Sequence, residues 1–254
     1  MNNLVPHTLM DLPEKKVEQI AKALGIDYRF IRGKDKNEKC WTLFNFILYQ
    51  NSHGKDLNLD ILTQKTIGVS YSNSIYPSCV KIICDYLSND YAIVKDKDGG
   101  IDDCDRIISD FEQTLAEQDI FLAFINEPYL KSKHCMYELC YFFNYCYLKD
   151  KDFKPNFVPI LVDDCKIDGN TLLEYSNYWE MEYSKVKEVY NNSNGTLDEG
   201  MMKNLNDYKL INHIVSSAII NIQRISAYSI KSDSLTEEDL LSIQRIIGNK
   251  THTL

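Results

Sequence analysis

A chain of 254 residues with 44% hydrophobic and 26% charged side chains holds enough apolar material for a substantial core, which excludes general disorder and fibrous architectures. Its net charge of -9 argues against broad nucleic-acid binding, which leaves a basic footprint. Met1-Asn2-Asn3-Leu4-Val5-Pro6 has no basic segment leading into an apolar run, and no stretch reaches the roughly 18 apolar residues of a membrane span, so a cytoplasmic location is expected.

In chain order, Asp11, Pro13 and Glu14 mark a helix start, with Glu14 in the position of a capping box. Val17, Ile20, Ala21 and Leu24 recur at helical spacing, and Gly25 supplies a stop. A second apolar and aromatic stretch, Trp41 to Leu48, lies between the polar run 33–39 and the turn signal Asn51 to Gly54. Leu57, Leu59, Ile61 and Leu62 can supply a third short helix. Residues 1–64 thus read as a small all-α domain with nearly balanced charge. Trp41, Phe44 and Leu48 share a face and are expected to pack inward, whereas Arg29, Arg32, Lys34 and Lys36 are candidates for contacting a partner.

The pattern changes at Thr66. Thr66 to Tyr71 is a strand candidate, and Val80, Ile83, Cys84 and Leu87 form a helical stripe after Pro77. Tyr91 to Val94 is a second strand, Gly99-Gly100 a loop, and Ile107, Ile108, Phe111 and Leu115 another helix. Asp119 to Ile125 is nearly continuously apolar, as suits a strand covered on both faces. A helix from about Lys133 to Leu148 and a strand from Phe157 to Val162 come next. This alternation favours parallel β-α-β connections in an open α/β sheet, with a ligand crevice at the carboxyl ends of the strands.

From Asp164 to Asn206 periodicity weakens, and Asn191 to Gly195 reads as a flexible connection. Ile211, Ile214, Ala218, Ile222 and Ile225 line one face of an amphipathic helix. Ser234 and Glu237 are placed to cap a last helix carrying Leu240, Leu241, Ile243 and Ile247. The expected organisation is therefore a helical domain at 1–64, an α/β domain at 65–230 and a carboxyl-terminal helical extension at 231–254.

Eight cysteines, at 40, 79, 84, 104, 135, 140, 146 and 165, are scattered through a chain large enough to manage without a disulfide framework, and are read as reduced. His134, Cys135 and Glu138 fall within about one helical turn, but a continuous helix directs the nearby Cys140 away, and no second motif completes a set; no metal site is expected. The segment 90–119 holds ten acidic residues against Lys95, Lys97 and Arg106, which reads as a solvated loop and helix face.

The stretch Asp119-Ile-Phe-Leu-Ala-Phe-Ile-Asn126-Glu-Pro-Tyr129-Leu-Lys-Ser132-Lys-His-Cys135-Met-Tyr-Glu138-Leu139 resembles the most recognisable segment of Toll/interleukin-1 receptor (TIR) domains. Gly68-Val69-Ser70-Tyr71-Ser72 resembles the family's first strand with its Ser-Tyr-Ser end, and Phe157 to Val162 its fourth strand. The resemblance implies a flavodoxin-like open parallel sheet of TIR type over about 66–190. It also implies NAD glycohydrolase or cyclase activity, with Glu138 as the catalytic carboxylate.

On its residues alone, Glu138 is an ordinary exposed helical glutamate. Cleavage of the nicotinamide-ribose bond develops positive charge on the ribose, which a preorganised carboxylate stabilises. Nicotinamide leaves as a neutral ring, so one carboxylate can suffice where glycoside-cleaving enzymes use two. NAD is then a substrate, and no cofactor is implied.

Ser70, Tyr71 and Ser72 would line the same crevice, either positioning ribose and phosphate or simply ending a strand and capping a helix. Lys95 and Arg106 are candidate phosphate contacts. Gly99 and Gly100 would let the loop after the second strand gate the site, a loop that in the family joins TIR-to-TIR packing. His134, where the family commonly has tryptophan, and Asn126, where its third strand often ends in serine, depart from the pattern. Tyr129 is read as a packing residue.

Val17 to Ile31 and Cys40 to Phe46 resemble, more loosely, the death-like or effector-associated domains of bacterial defence proteins, which recruit a matching domain on another protein. The combined expectation is an assembly-activated bacterial defence effector. A noncatalytic TIR scaffold is the alternative.

Overall fold

Every side chain of Ile120–Ile125 is buried, which places this strand in the interior of a sheet covered on both faces. The computed structural model describes residues 10, 17, 18, 20, 21, 26–52, 65–75, 77–95, 115–192, 199–225 and 227–251. Contacts divide the chain into two compact units, Met1–Gln64 and Lys65–Leu254.

In the first unit a 3-10 turn, Tyr28–Phe30, precedes helix α1, Lys36–Ser52. Cys40, Leu43, Phe44 and Ile47, at i, i+3, i+4 and i+7, form its buried stripe against Val17, Ile20, Ala21, Tyr28 and Ile31. Trp41 does not pack inward as expected. It stands one residue, about 100° of helix, away from Cys40, remains 47% exposed, and meets Phe44 only edge-on at 6.1 Å. The Leu48 side chain and the 57–62 segment lie outside the described residues. Arg29 is held by Asp27 at 2.6 Å, and Lys36 Nζ donates to the Met10 carbonyl at 2.7 Å.

In the second unit the described strands form one five-stranded sheet in the order β2-β1-β3-β4-β5, parallel throughout. They are β1 (Thr66–Tyr71), β2 (Ala92–Lys95), β3 (Ile120–Ile125), β4 (Phe157–Val162) and β5 (Tyr228–Ile230). This is the flavodoxin-like α/β order. Ile67, Val69, Leu122, Phe124, Val158 and Ile160 point to one face. There they pack on α2 (Pro77–Leu87) through Val80 and Ile83, and on α7 (Glu237–Thr251) through Ile243 and Ile247.

Phe121, Ala123, Ile125 and Phe157 point to the other face. They pack among α3 (Glu127–Lys131), α4 (Lys133–Leu148), α5 (Gly169–Asn192) and α6 (Glu199–Arg224). The Phe121 ring stacks on Phe142 at 4.7 Å, and each such fully buried aromatic is worth roughly 1.5–3 kcal/mol.

Register is fixed at the amino ends of the strands. Asp119 Oδ2 accepts from the Thr66 amide at 2.8 Å and its hydroxyl at 3.0 Å, and the Asn156 side chain donates to the Asp119 carbonyl at 2.8 Å. The carboxyl ends are thereby left to be shaped by the turn or helix that each strand enters.

Several expectations are corrected. The weakly periodic stretch after Asp164 contains the 24-residue helix α5. Its buried residues Thr171, Tyr175 and Trp179 occupy only the first three turns, so no long apolar stripe announces it. The edge strand β5 has no counterpart among the expected elements. The last helix is capped by Thr236 and Asp239 rather than by Ser234 and Glu237: the Thr236 amide donates to Asp239 Oδ2 at 2.9 Å, and the Asp239 amide to Thr236 Oγ1 at 3.2 Å. Apart from these corrections, residues 231–251 fall in the same compact unit as the sheet. No helix among the described residues is long and apolar enough to cross a membrane.

Candidate active site

The neighbours β1 and β3 send their connections to opposite sides of the sheet, β1 through α2 on one face and β3 through α3 and α4 on the other. Their carboxyl ends therefore border the crevice where open α/β sheets place ligands.

Three segments meet there. Ser70, the penultimate residue of β1, points toward α4 and is 1% exposed. Glu138 sits in the second turn of α4, half-buried, and Ser70 Oγ donates to its Oε2 at 2.5 Å. Cys135, one turn earlier on the same helix face, donates its thiol to the Tyr71 carbonyl at 3.5 Å. Burial, followed by the nearby Glu138 charge, pushes the Cys135 thiol from an ordinary 9.0 up to about 12, which disfavours the thiolate that a nucleophile needs.

Tyr129 on α3 completes the set. Its ring is fully buried and its hydroxyl lies 2.8 Å from Ser70 Oγ. Burial first, then the proximity of Cys135 and Glu138, holds that hydroxyl protonated well beyond the usual tyrosine range.

Asn126 starts α3 by accepting from the Tyr129 amide at 2.9 Å, and its Nδ2 donates to Ser74 Oγ at 3.2 Å. Ser132 caps α4 by accepting from the Cys135 amide at 3.4 Å. These two caps aim the consecutive helices α3 and α4 at the end of β1.

The sequence-derived residues separate accordingly. Ser70 and Glu138 are in direct contact, and Tyr71 touches the same helix through its carbonyl. Ser72 is engaged in the turn after β1, 2.8 Å from Ser74 Oγ. Lys95 ends β2 in register with Val69, on the sheet face opposite Ser70, so it does not converge on Glu138 from that side. Arg106, Gly99 and Gly100 lie outside the described residues, as does the acidic loop around them. His134 is exposed on the first turn of α4.

The Tyr129 hydroxyl is the group that sequence reasoning passes over. Its signal is the pairing of a tyrosine, which needs a hydroxyl partner when buried, with a serine at the end of a central strand.

A separate depression of about 300 Å³ lies beyond β4, lined by Glu127, Asp163, Asp164, Lys166, Glu174 and Tyr175, and includes neither Ser70 nor Glu138. Its four acids already have partners: Glu127 with Lys131 at 2.6 Å, Glu174 with the same lysine at 4.0 Å, Asp164 with Lys231, and Asp163 with Ser232 at 2.8 Å. Among the described residues no cluster of His, Cys, Asp and Glu is arranged to hold a metal.

No protein-family model matches the chain, and no curated protein matches it. Among solved structures, the TIR domains of the activated Roq1 resistosome, which directly recognises the pathogen effector XopQ, align with 73% of this chain and 99% of that one. The alignment has 14% identity and a TM-score of 0.42. The α/β class rests on this chain's own parallel strand order.

Proposed function

We propose that the chain cleaves the nicotinamide-ribose bond of NAD, with Glu138 as the carboxylate that stabilises the ribosyl cation. The observation that carries this reading is the 2.5 Å hydrogen bond from Ser70 to Glu138 at the carboxyl end of β1. It fixes a half-buried carboxylate at the switch point of the sheet, where a preorganised negative charge acts most strongly on developing positive charge. The TIR-like segments 68–72 and 119–139 supply the substrate class.

In this reaction the carbon-nitrogen bond between ribose and nicotinamide breaks, and its electron pair leaves with the neutral ring. Water captures the cation in hydrolysis, and an adenine nitrogen of the same molecule captures it in cyclisation. Both outcomes share the first cleavage. Self-assembly of the α/β unit through its TIR-like surfaces activates the enzyme. Residues 1–64 recruit a matching helical domain on another protein, in keeping with a cytoplasmic defence effector of bacterial type.

The test is nicotinamide release from NAD by the full-length protein under enforced oligomerisation, beside Glu138→Gln. Loss of about 100-fold or more in the variant is expected for removal of a group that stabilises transition-state charge. Equal activity in the two proteins removes Glu138 from the chemistry. Absence of turnover in a verified assembly favours a noncatalytic scaffold.

A further inference from the structure

We infer that Tyr129 is a positioning residue that acts on Glu138 through Ser70, forming a hydroxyl relay that holds the carboxylate ionised and fixed in orientation; the catalytic meaning of this relay rests on the reading above.

The geometry sets the direction of each bond. A serine hydroxyl carries one proton, and that of Ser70 points to Glu138 Oε2 at 2.5 Å. In the 2.8 Å pair between Tyr129 and Ser70, the tyrosine is then the donor. Tyr129 is fully buried and kept protonated, so this proton is always available. A donor behind Ser70 polarises its hydroxyl and strengthens the bond that Ser70 gives to the carboxylate. Both hydroxyls are anchored by backbone: Ser70 sits in a strand paired on both sides, and Tyr129 sits in a helix started by Asn126.

The relay has a definite sign. Donors to the ionised form of a carboxylate lower its pKa, so removing either hydroxyl raises it. An activity that needs ionised Glu138 would then lose its acidic limb at higher pH. Since Ser70 touches Glu138 and Tyr129 only touches Ser70, the serine has the larger effect, and the tyrosine has none once the serine is gone.

The experiment tracks the titration of Glu138 in the full-length protein with isotope-labelled glutamate carboxyls, assigning its signal as the one missing from Glu138→Gln. Ser70→Ala is expected to raise the midpoint by about one unit or more, the loss of one hydrogen bond to a charged group. Tyr129→Phe is expected to raise it by about a few tenths of a unit. Tyr129→Phe added to Ser70→Ala should shift it no further. In wild type, the ring carbon bearing the Tyr129 hydroxyl should change its chemical shift with the same midpoint as Glu138, a measurement that depends on no variant.

With NAD, Tyr129→Phe should lower kcat about two- to fivefold while KM stays within about twofold, as for an interaction expressed in the transition state. A Tyr129→Phe titration superimposable on wild type, or a Tyr129 shift that ignores the Glu138 midpoint, overturns the relay. A wild-type protein that releases no nicotinamide removes the enzymatic reading, while the titrations still decide the relay.

Discussion

Asn126 ties the ends of β3 and β1 together: its Oδ1 accepts from the Tyr129 amide at 2.9 Å while its Nδ2 donates to Ser74 Oγ at 3.2 Å. One side chain thus starts the helix that carries Tyr129 and steadies the turn just beyond Ser70.

Asn126→Ala should cost about 1 kcal/mol through the lost helix cap. Asn126→Ser, which keeps a capping oxygen, should recover most of that. Urea unfolding midpoints compare the three proteins, and an unchanged midpoint in the alanine variant would show that the cap carries no stability.

Gly68 in β1 is confined by the turn before β3. A side-chain carbon there would stand 3.0 Å from the Leu115 carbonyl oxygen and 3.0 Å from the Gln118 side chain. The carbonyl belongs to the backbone and cannot rotate aside, so Gly68→Ala should destabilise by about 1–3 kcal/mol, the usual cost of overpacking. Thermal unfolding reads this, and a neutral result would mean that the turn yields freely.

Trp179 on α5 donates its indole N–H to the Leu130 carbonyl at 2.9 Å, joining α5 to α3. Trp179→Phe keeps an aromatic ring but leaves that carbonyl without its partner, a loss of about 1–3 kcal/mol. Trp179→Ala should lose about 3–5 kcal/mol by opening a cavity. Equal unfolding midpoints for the Phe variant and wild type would show that the bond contributes nothing net.

Burial pushes Cys79, Cys146 and Cys165 from an ordinary 9.0 up to about 11, and Cys135 to about 12. Above pH 9 the unfolded chain releases these protons and the folded one retains them. The stability they contribute is full below pH 9 and is lost as pH rises through about 11 to 12. Denaturant midpoints should fall across that window. At pH 8, iodoacetamide should label the buried Cys79, Cys135 and Cys146 only after unfolding, and rapid labelling of Cys135 in the folded protein would contradict its burial.

The sequence is legible wherever one local signal suffices. The apolar runs of β1, β3 and β4 and the apolar stripes of α2 and α4 are dense enough to be read without a partner. The helix α5 escapes such a reading because most of it meets solvent, and β5 because Tyr228-Ser229-Ile230 becomes a strand only by pairing with β4. Glu138 stands out through a family resemblance and Ser70 through its place at a strand end. The bond between Tyr129 and Ser70 joins residues 59 apart in the chain, and such a contact leaves no spacing to read.

The late position of β5 has a consequence for synthesis. β4 is complete at Val162, but its outer neighbour arrives only with Tyr228–Ile230, after both long helices α5 and α6 have been made. During translation the outer edge of β4 must wait without its strand, and the face that receives Ile243 and Ile247 stays uncovered longer still. A ribosome stalled after Arg224 would therefore hold a sheet one edge strand short, with the pairing edge of β4 open to aggregation.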